Sequence, residues 1–183
     1  QSRGGVTLLS LFSSLQLLDP KVRDFAASQE KIYVGGPVSL CPEMVMGELD
    51  IDAVVIGEGE EVVADLVESG PEGLPGVAYR RDGGIVKSEP RPVASLDHPL
   101  PLVPDDIGGQ SVRGANVYIE THRGCLGGCS FCQVPRFFGR TIRSRSLENV
   151  LEEVRELRRH GVRRVAVSGG TGSLFGYRGK VDR

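Results

Sequence analysis

Three cysteines, Cys125, Cys129 and Cys132, fall within eight residues in the segment HRGCLGGCSFC (122–132), and the fourth, Cys41, is remote. Their spacing is C-x3-C-x2-C. Thiolates this close on one loop are expected to converge on one centre, because so short a segment offers no way to bury them apart. Iron–sulfur clusters and structural zinc sites ordinarily take four protein ligands. With three, one metal position stays open, and an open position serves a substrate rather than the fold. The competing reading is a zinc site completed by His122 or Cys41. Gly124, Gly127 and Gly128 let the loop wrap closely and turn amide N–H groups toward an anionic centre. Cysteines so distributed do not make a secreted disulfide framework; they favour metal or redox chemistry.

Five arginines, Arg123, Arg136, Arg140, Arg143 and Arg145, surround the loop. One reading makes them solvated surface or compensation for an anionic centre. The other makes them fixed forks for a phosphate or carboxylate. Sequence leaves both open.

The elements that must position the loop are legible on either side. ANVYIET (115–121) reads as a strand leading into the cysteines. Ser146 caps a helix whose Leu147, Val150, Leu151, Val154 and Leu157 form one apolar stripe, ended by Gly161. VRRVAVSGG (162–170) reads as the next strand, ending in Ser168, Gly169 and Gly170. In a β–loop–α–β unit of this kind the cysteines lie at the C-terminal end of the first strand, where parallel barrels carry their functional residues.

The first half repeats the alternation. VTLLSLF (6–12) reads as a buried strand. Leu15, Leu18, Val22 and Phe25 predict a helix over 15–28, which Asp19-Pro20 can split in two. KIYVGGP (31–37) is a strand, 42–49 a helix, IDAVVIGEGE (51–60) a strand and 60–69 a helix closed by Gly70. Strands alternating with helices imply a parallel sheet covered on both faces, with ligands beyond the strands' carboxyl ends. Ser13, Gly35, Gly36, Gly57, Glu58 and Gly59 fall there. Each glycine alone reads as a tight turn; three successive strand ends carrying such residues point to a ligand face. Residues 76–88 predict a hairpin turning at Asp82-Gly83. Five prolines in 90–104 fix an extended chain and mark a domain boundary.

The 183 residues, 39% hydrophobic and 25% charged, suit a globular protein, and no apolar run reaches a membrane span. Residues 6–18 are the greasiest stretch but lack a signal-peptide cleavage site, so a cytoplasmic location is expected. Residues 1–111 carry 8 Lys and Arg against 18 Asp and Glu; residues 112–183 carry 14 against 6. The basic half balances an anionic cofactor or an acidic neighbour. Nucleic acid is not expected, since no aromatic-studded basic stripe accompanies the charge.

The segment YIETHRGCLGGCSFCQVPRFFGR resembles the cluster loop of radical S-adenosylmethionine (SAM) enzymes, with Phe131 as the aromatic of the signature. The resemblance implies that Cys125, Cys129 and Cys132 bind a 4Fe-4S cluster whose fourth iron is chelated by SAM, and that the reduced cluster cleaves SAM to a deoxyadenosyl radical. It places Phe131 beside the adenine and the strand end Ser168-Gly169-Gly170 at the methionyl amine, with Thr171 standing where many members have Glu. IYVGGPVSLCPEMVMGELDIDAVVIGEGEEVVADLVES is similar to the cobalamin-binding domain fused ahead of many such enzymes. That similarity implies cobalamin contacts from Ser13, Ser14, Gly35, Gly36, Gly57, Glu58 and Gly59.

Together these resemblances imply an α/β chain. Residues 1–70 would be a partial Rossmann-like cobalamin-binding domain, 71–111 a hairpin and Pro-rich linker, and 112–183 the first βα units of a radical SAM partial (β/α) barrel. The implied reaction is methyl transfer to a small-molecule or macromolecular substrate, with an electron donor such as ferredoxin or flavodoxin. The alternatives are cyclisation or methylthiolation beside a degenerate cobalamin domain, or a non-catalytic iron–sulfur or zinc module. Gln1 in place of Met, and fewer strand–helix units than such a barrel needs, give the expectation of a fragment cut at both ends that exposes apolar sheet edges, aggregates and is inactive alone.

Overall fold

The computed structural model describes residues 2, 3, 5–112, 117–168 and 171–177. The chain divides into two units, Gln1–Val93 and Ala94–Arg183.

The first unit contains β1 (Ser2–Arg3), β2 (Val6–Ser10), α1 (Pro20–Ala27), β3 (Lys31–Gly35), α2 (Pro42–Glu48), β4 (Ala53–Val55), α3 (Val63–Ser69), β5 (Val77–Arg81) and β6 (Gly84–Lys87). All six strands form one sheet in sequence order. β2, β3 and β4 run parallel, with Val6 opposite Lys31 and Tyr33 opposite Ala53, as the strand–helix alternation requires. The sheet is mixed, however: β1 pairs antiparallel to β2, and β5 and β6 continue antiparallel from β4. The hairpin expected in the linker therefore completes this sheet. Asp82 and Gly83, at φ 50° and 77°, both take the left-handed conformation that a two-residue hairpin turn needs.

Side chains alternating along β3 and β4 divide the core in two. Ile32, Val34 and Val54 pack with Ala26 of α1 and Val45 and Met46 of α2 on one face. Tyr33, Ala53 and Val55 pack with Leu66 of α3 and with Val77 and Tyr79 of β5 on the other. Each large aliphatic so buried contributes roughly 1.5–3 kcal/mol. The stripe expected over 15–28 does not form. Residues Ser14–Leu18 make a 3-10 helix, and Asp19 ends it while capping α1 through the Lys21 amide. The axis changes at Asp19-Pro20, so Leu17 and Ala26 become the buried residues, and Leu15 (73%), Leu18 (60%) and Phe25 (45%) stay exposed. The strand expected over 51–60 keeps its ladder only through Val55. Gly57, at φ 77°, turns the chain out of it.

The second unit contains α4 (Ile107–Val112), β7 (Val117–Glu120), β8 (His122–Arg123), α5 (Val134–Phe137), β9 (Arg143–Ser144), α6 (Leu147–Arg159) and β10 (Val165–Ser168). β7 and β10 are parallel, from Val117 opposite Val165 to Glu120 opposite Ser168, so the β–loop–α–β unit is present. β8 and β9 form a short antiparallel pair between them. Ser146 caps α6 by accepting the Asn149 amide, as its sequence predicts. Val150, Val154 and Leu157 pack on Ile119, Val162 and Val165. Leu147 and Leu151, expected in the same stripe, are exposed, and Glu153 is buried instead. Its carboxylate meets the buried guanidinium of Arg145 at 2.5 Å, which makes burial tolerable. Among the described residues no helix is long and apolar enough to cross a membrane.

Candidate functional site

In the second unit the cysteine loop leaves the C-terminal end of β7 and is tied down at several points. The Cys125 amide donates to the Gly139 carbonyl (3.3 Å), the Cys132 amide to the Cys129 carbonyl (3.2 Å), and Arg140 to the Leu126 carbonyl (2.6 Å). All three thiols are free; Cys125 and Cys132 are half-buried and Cys129 is exposed. A Cβ on Gly127 would stand 3.2 Å from Cys125 Sγ and 3.9 Å from Cys129 Sγ, and the Gly127 amide points at Cys125 Sγ from 3.3 Å. Two of the thiols thus share a space that glycine keeps open, with an amide aimed at sulfur. The expected convergence of all three is not built into the bare chain: among the described residues no three His, Cys, Asp or Glu side chains gather around one metal-sized point. Nothing in the polypeptide draws unpaired thiols together; metal bonds do that work.

Of the two residues offered for the zinc alternative, His122 is turned inward. His122 is fully buried, with Nδ1 3.0 Å from Thr121 Oγ1. Burial pushes its pKa below the ordinary value, against the opposing pull of Glu120 and of the Thr171 backbone. Arg123, Arg140 and Arg145 of the surrounding arginines are engaged within the protein. Arg123 forks onto Glu120 at 2.9–3.1 Å and lies over the Phe138 ring, Arg140 holds the loop, and Arg145 joins Glu153, Asn149 and the Glu120 carbonyl. For these three the structural reading holds over anion recognition.

Phe131 is 87% exposed on the loop. Ser168 ends β10, and its carbonyl accepts the Thr121 amide (3.2 Å), which brings that strand end beside the start of the cysteine loop. Gly169 and Gly170 lie outside the described residues. The clamp behind the loop went unread in sequence: Asp97 accepts the Ser146 amide (2.7 Å), and Asn149 accepts from the His98 amide and donates to the His98 carbonyl. The Ser146 hydrogen bonds hold the Asp97 carboxyl below its usual range. The one sequence signal was a charged residue, Glu153, inside a helix that otherwise buries aliphatics.

In the first unit a cavity of about 220 Å³ opens at the carboxyl ends of the parallel strands. Gly35, Gly36, Gly57 and Gly59 all line it, with Leu8 and Val63. A Cβ on Gly59 would crowd Val55 and Val63 at 3.2 Å, and one on Gly36 would meet the Leu11 carbonyl at 2.6 Å. The remaining three residues of the expected face do not line it. Ser13 is exposed and its hydroxyl caps the 3-10 helix, Ser14 is exposed, and Glu58 is buried, accepting the Val93 amide at 3.1 Å.

Residues 119–180, which span the cysteine loop, α6 and β10, match the family described as Radical SAM superfamily. That segment belongs to the radical SAM superfamily. Members of that superfamily work with a 4Fe-4S cluster and SAM, and the chemistry of three free thiols beside an amide-lined glycine fits a cluster with one iron left for SAM. Over 99% of its length the chain is 49% identical to MJ0865 of Methanocaldococcus jannaschii, provisionally named a methylthiotransferase, and it spans 41% of that protein. TsrM of Kitasatospora setae, a radical SAM methyltransferase solved with cobalamin and a [4Fe-4S] cluster, matches 93% of the chain with a TM-score of 0.71 at 18% identity, over 38% of TsrM. OxsB, a cobalamin-dependent radical SAM enzyme solved with aqua-cobalamin, matches 91% with a TM-score of 0.69 at 21% identity, over 26% of OxsB. These two likenesses show a shared fold.

Proposed function

We propose that the chain is the cobalamin-binding and cluster-binding part of a radical SAM enzyme that transfers a methyl group. The observation that carries this reading is the glycine-lined cavity at the strand ends of the first unit, in a chain whose second unit holds a radical SAM cysteine loop. In this reading the first unit is Rossmann-like, and its cavity takes part of cobalamin against the bare backbone of Gly35, Gly36, Gly57 and Gly59. Ser13, Ser14 and Glu58, which do not line the cavity, shape its surroundings. The second unit supplies the first strands of a partial barrel. Cys125, Cys129 and Cys132 hold the cluster, Phe131 is free to lie on the adenine, and the strand end from Ser168 through Gly169 and Gly170 receives the methionyl end of SAM. When bound, the cluster supplies the electron that cleaves SAM, and cobalamin supplies the methyl group. The protein's own part is positioning: the loop ties at Gly139 and Leu126 and the Thr121–Ser168 bond fix the cysteines and the strand end in register. An external one-electron donor such as ferredoxin or flavodoxin completes the reading.

A second reading, methylthiolation, is favoured by the 49% identity to MJ0865. Such a reaction needs a sulfur source. If that source is a second cluster in the first unit, thiolates must hold it, and residues 1–93 contain only Cys41.

The test uses the full-length protein, purified and reconstituted without oxygen. Methyl transfer predicts retained cobalamin in the visible spectrum, about four irons and four sulfides per chain, and deoxyadenosine from SAM with dithionite. Deoxyadenosine without retained cobalamin moves the assignment to methylthiolation or cyclisation. An intact cluster that leaves SAM uncleaved moves it to a non-catalytic module, and stoichiometric zinc without sulfide ends the cluster reading.

A further inference from the structure

Among the described residues His122 carries the buried side-chain atom left without a partner, Nε2. The residue is wholly enclosed, so water does not reach that nitrogen freely. A buried polar atom in this state calls for an explanation, since leaving it unmade is costly.

The surroundings supply one. Nδ1 is engaged by Thr121, whose hydroxyl also stands 3.5 Å from the Ser168 carbonyl that accepts the Thr121 amide. The Thr171 backbone is near enough to the ring to favour its protonated form, although it makes no hydrogen bond of good geometry with it. β8 pairs His122 with Ser144, and the Ser144 hydroxyl accepts the Gly176 amide at 2.9 Å. The imidazole therefore sits where the cysteine loop begins, where β10 ends and where the chain turns back after Thr171. A neutral imidazole has one N–H and one lone pair, and can bridge two partners at a fixed separation.

We propose that His122 is a positioning residue: one ring nitrogen holds Thr121 and the other is reserved for the backbone at Thr171, so that the ring sets the spacing between the cysteine loop and the strand end that receives SAM. This rests on the assignment of that strand end to SAM made above. The ring holds neither the cluster nor SAM. Its contribution is to hold the Thr171 backbone in register with the cysteine loop.

The experiment measures SAM binding by equilibrium dialysis on full-length, anaerobically reconstituted protein, with iron and sulfide counted in parallel. His122→Leu fills the site but bridges nothing, whereas His122→Gln keeps one donor and one acceptor. The expected result is unchanged iron and sulfide in both variants, SAM affinity weakened about tenfold in His122→Leu, and most of that loss recovered in His122→Gln. Thr121→Val, which keeps the volume and removes only the hydroxyl that orients the ring, is expected to weaken SAM about threefold with the cluster intact, and it carries the test if His122→Leu does not fold. Wild-type affinity in both His122→Leu and Thr121→Val overturns the proposal, as does a His122→Gln variant no better than His122→Leu, or cluster loss in step with SAM loss. Wild-type protein that holds its cluster and binds no SAM overturns the assignment of the strand end, and the proposal with it.

Discussion

The two glycine-rich regions of this chain, the strand ends at Gly35-Gly36 and Gly57–Gly59 and the loop at 124–128, follow parallel strands and use glycine differently. In the first, the backbone itself makes the cavity. Gly36 needs φ 86° and approaches the Leu11 carbonyl too closely for a side chain, and Gly59 fits between Val55 and Val63. The cavity exists because the sheet beneath it is packed on both faces. In the second, Gly127 leaves a space between Cys125 and Cys129, and the thiols are on hand without being gathered. One site is finished by folding; the other is finished by what binds it, as metal sites generally are.

Substitutions can break that contrast in order of severity. The largest effect is expected from Cys125→Ala, Cys129→Ala or Cys132→Ala in the full-length protein: loss of nearly all cluster iron and of SAM cleavage, with cobalamin retention and the urea midpoint unchanged. A cysteine variant that also lost cobalamin or stability would mean that the loop is part of the folded scaffold. Next is Arg145→Met, which strands the buried Glu153 and is expected to cost about 3–5 kcal/mol in urea unfolding. Gly36→Ala is expected to cost about 2–4 kcal/mol, from left-handed strain plus overlap with Leu11, and to abolish cobalamin retention while leaving the iron content intact.

His122 gives the contrast a pH dependence. Burial lowers its folded pKa, so the unfolded imidazole takes a proton first as pH falls through the ordinary 6.5. The unfolded state then binds more protons, and stability that is complete above that pH declines below it until the lowered folded value is reached. Urea titrations between pH 5 and 8 check this: a downward slope below 6.5 is expected in the wild type and a flatter one in His122→Gln. Equal slopes would place the proton elsewhere.

The alternation of strands and helices in the first half was legible because its strands are apolar, short and bounded by glycine. The unread features were those in which a distant partner decides. Nothing local says that the 76–88 hairpin will pair with β4, that Asp19-Pro20 turns Leu15 and Leu18 outward, or that Glu153 is buried because Arg145 comes to meet it. For the candidate sites, the cysteine spacing and the glycine strand ends stood out, since their chemistry is in the residue types. The positioning part proposed for His122 did not: sequence offers the residue only as a zinc ligand, because what distinguishes it is burial and an unmatched nitrogen, both properties of the packed state.

The smallest expected effect isolates the role of glycine itself. Gly47 lies within α2, is exposed and would meet nothing within 4 Å of an added Cβ. Its backbone is helical, so Gly47→Ala removes only the flexibility of the unfolded chain and is expected to stabilise by about 0.5–1 kcal/mol, read as a higher urea midpoint with an unchanged slope. Gly36→Ala and Gly47→Ala add the same methyl group to the same unit, and the expected signs are opposite. If both destabilised, the loss at Gly36 would reflect a general intolerance of the unit to added bulk. Opposite signs assign it to the left-handed turn and the Leu11 carbonyl, the two features that keep the strand-end cavity open.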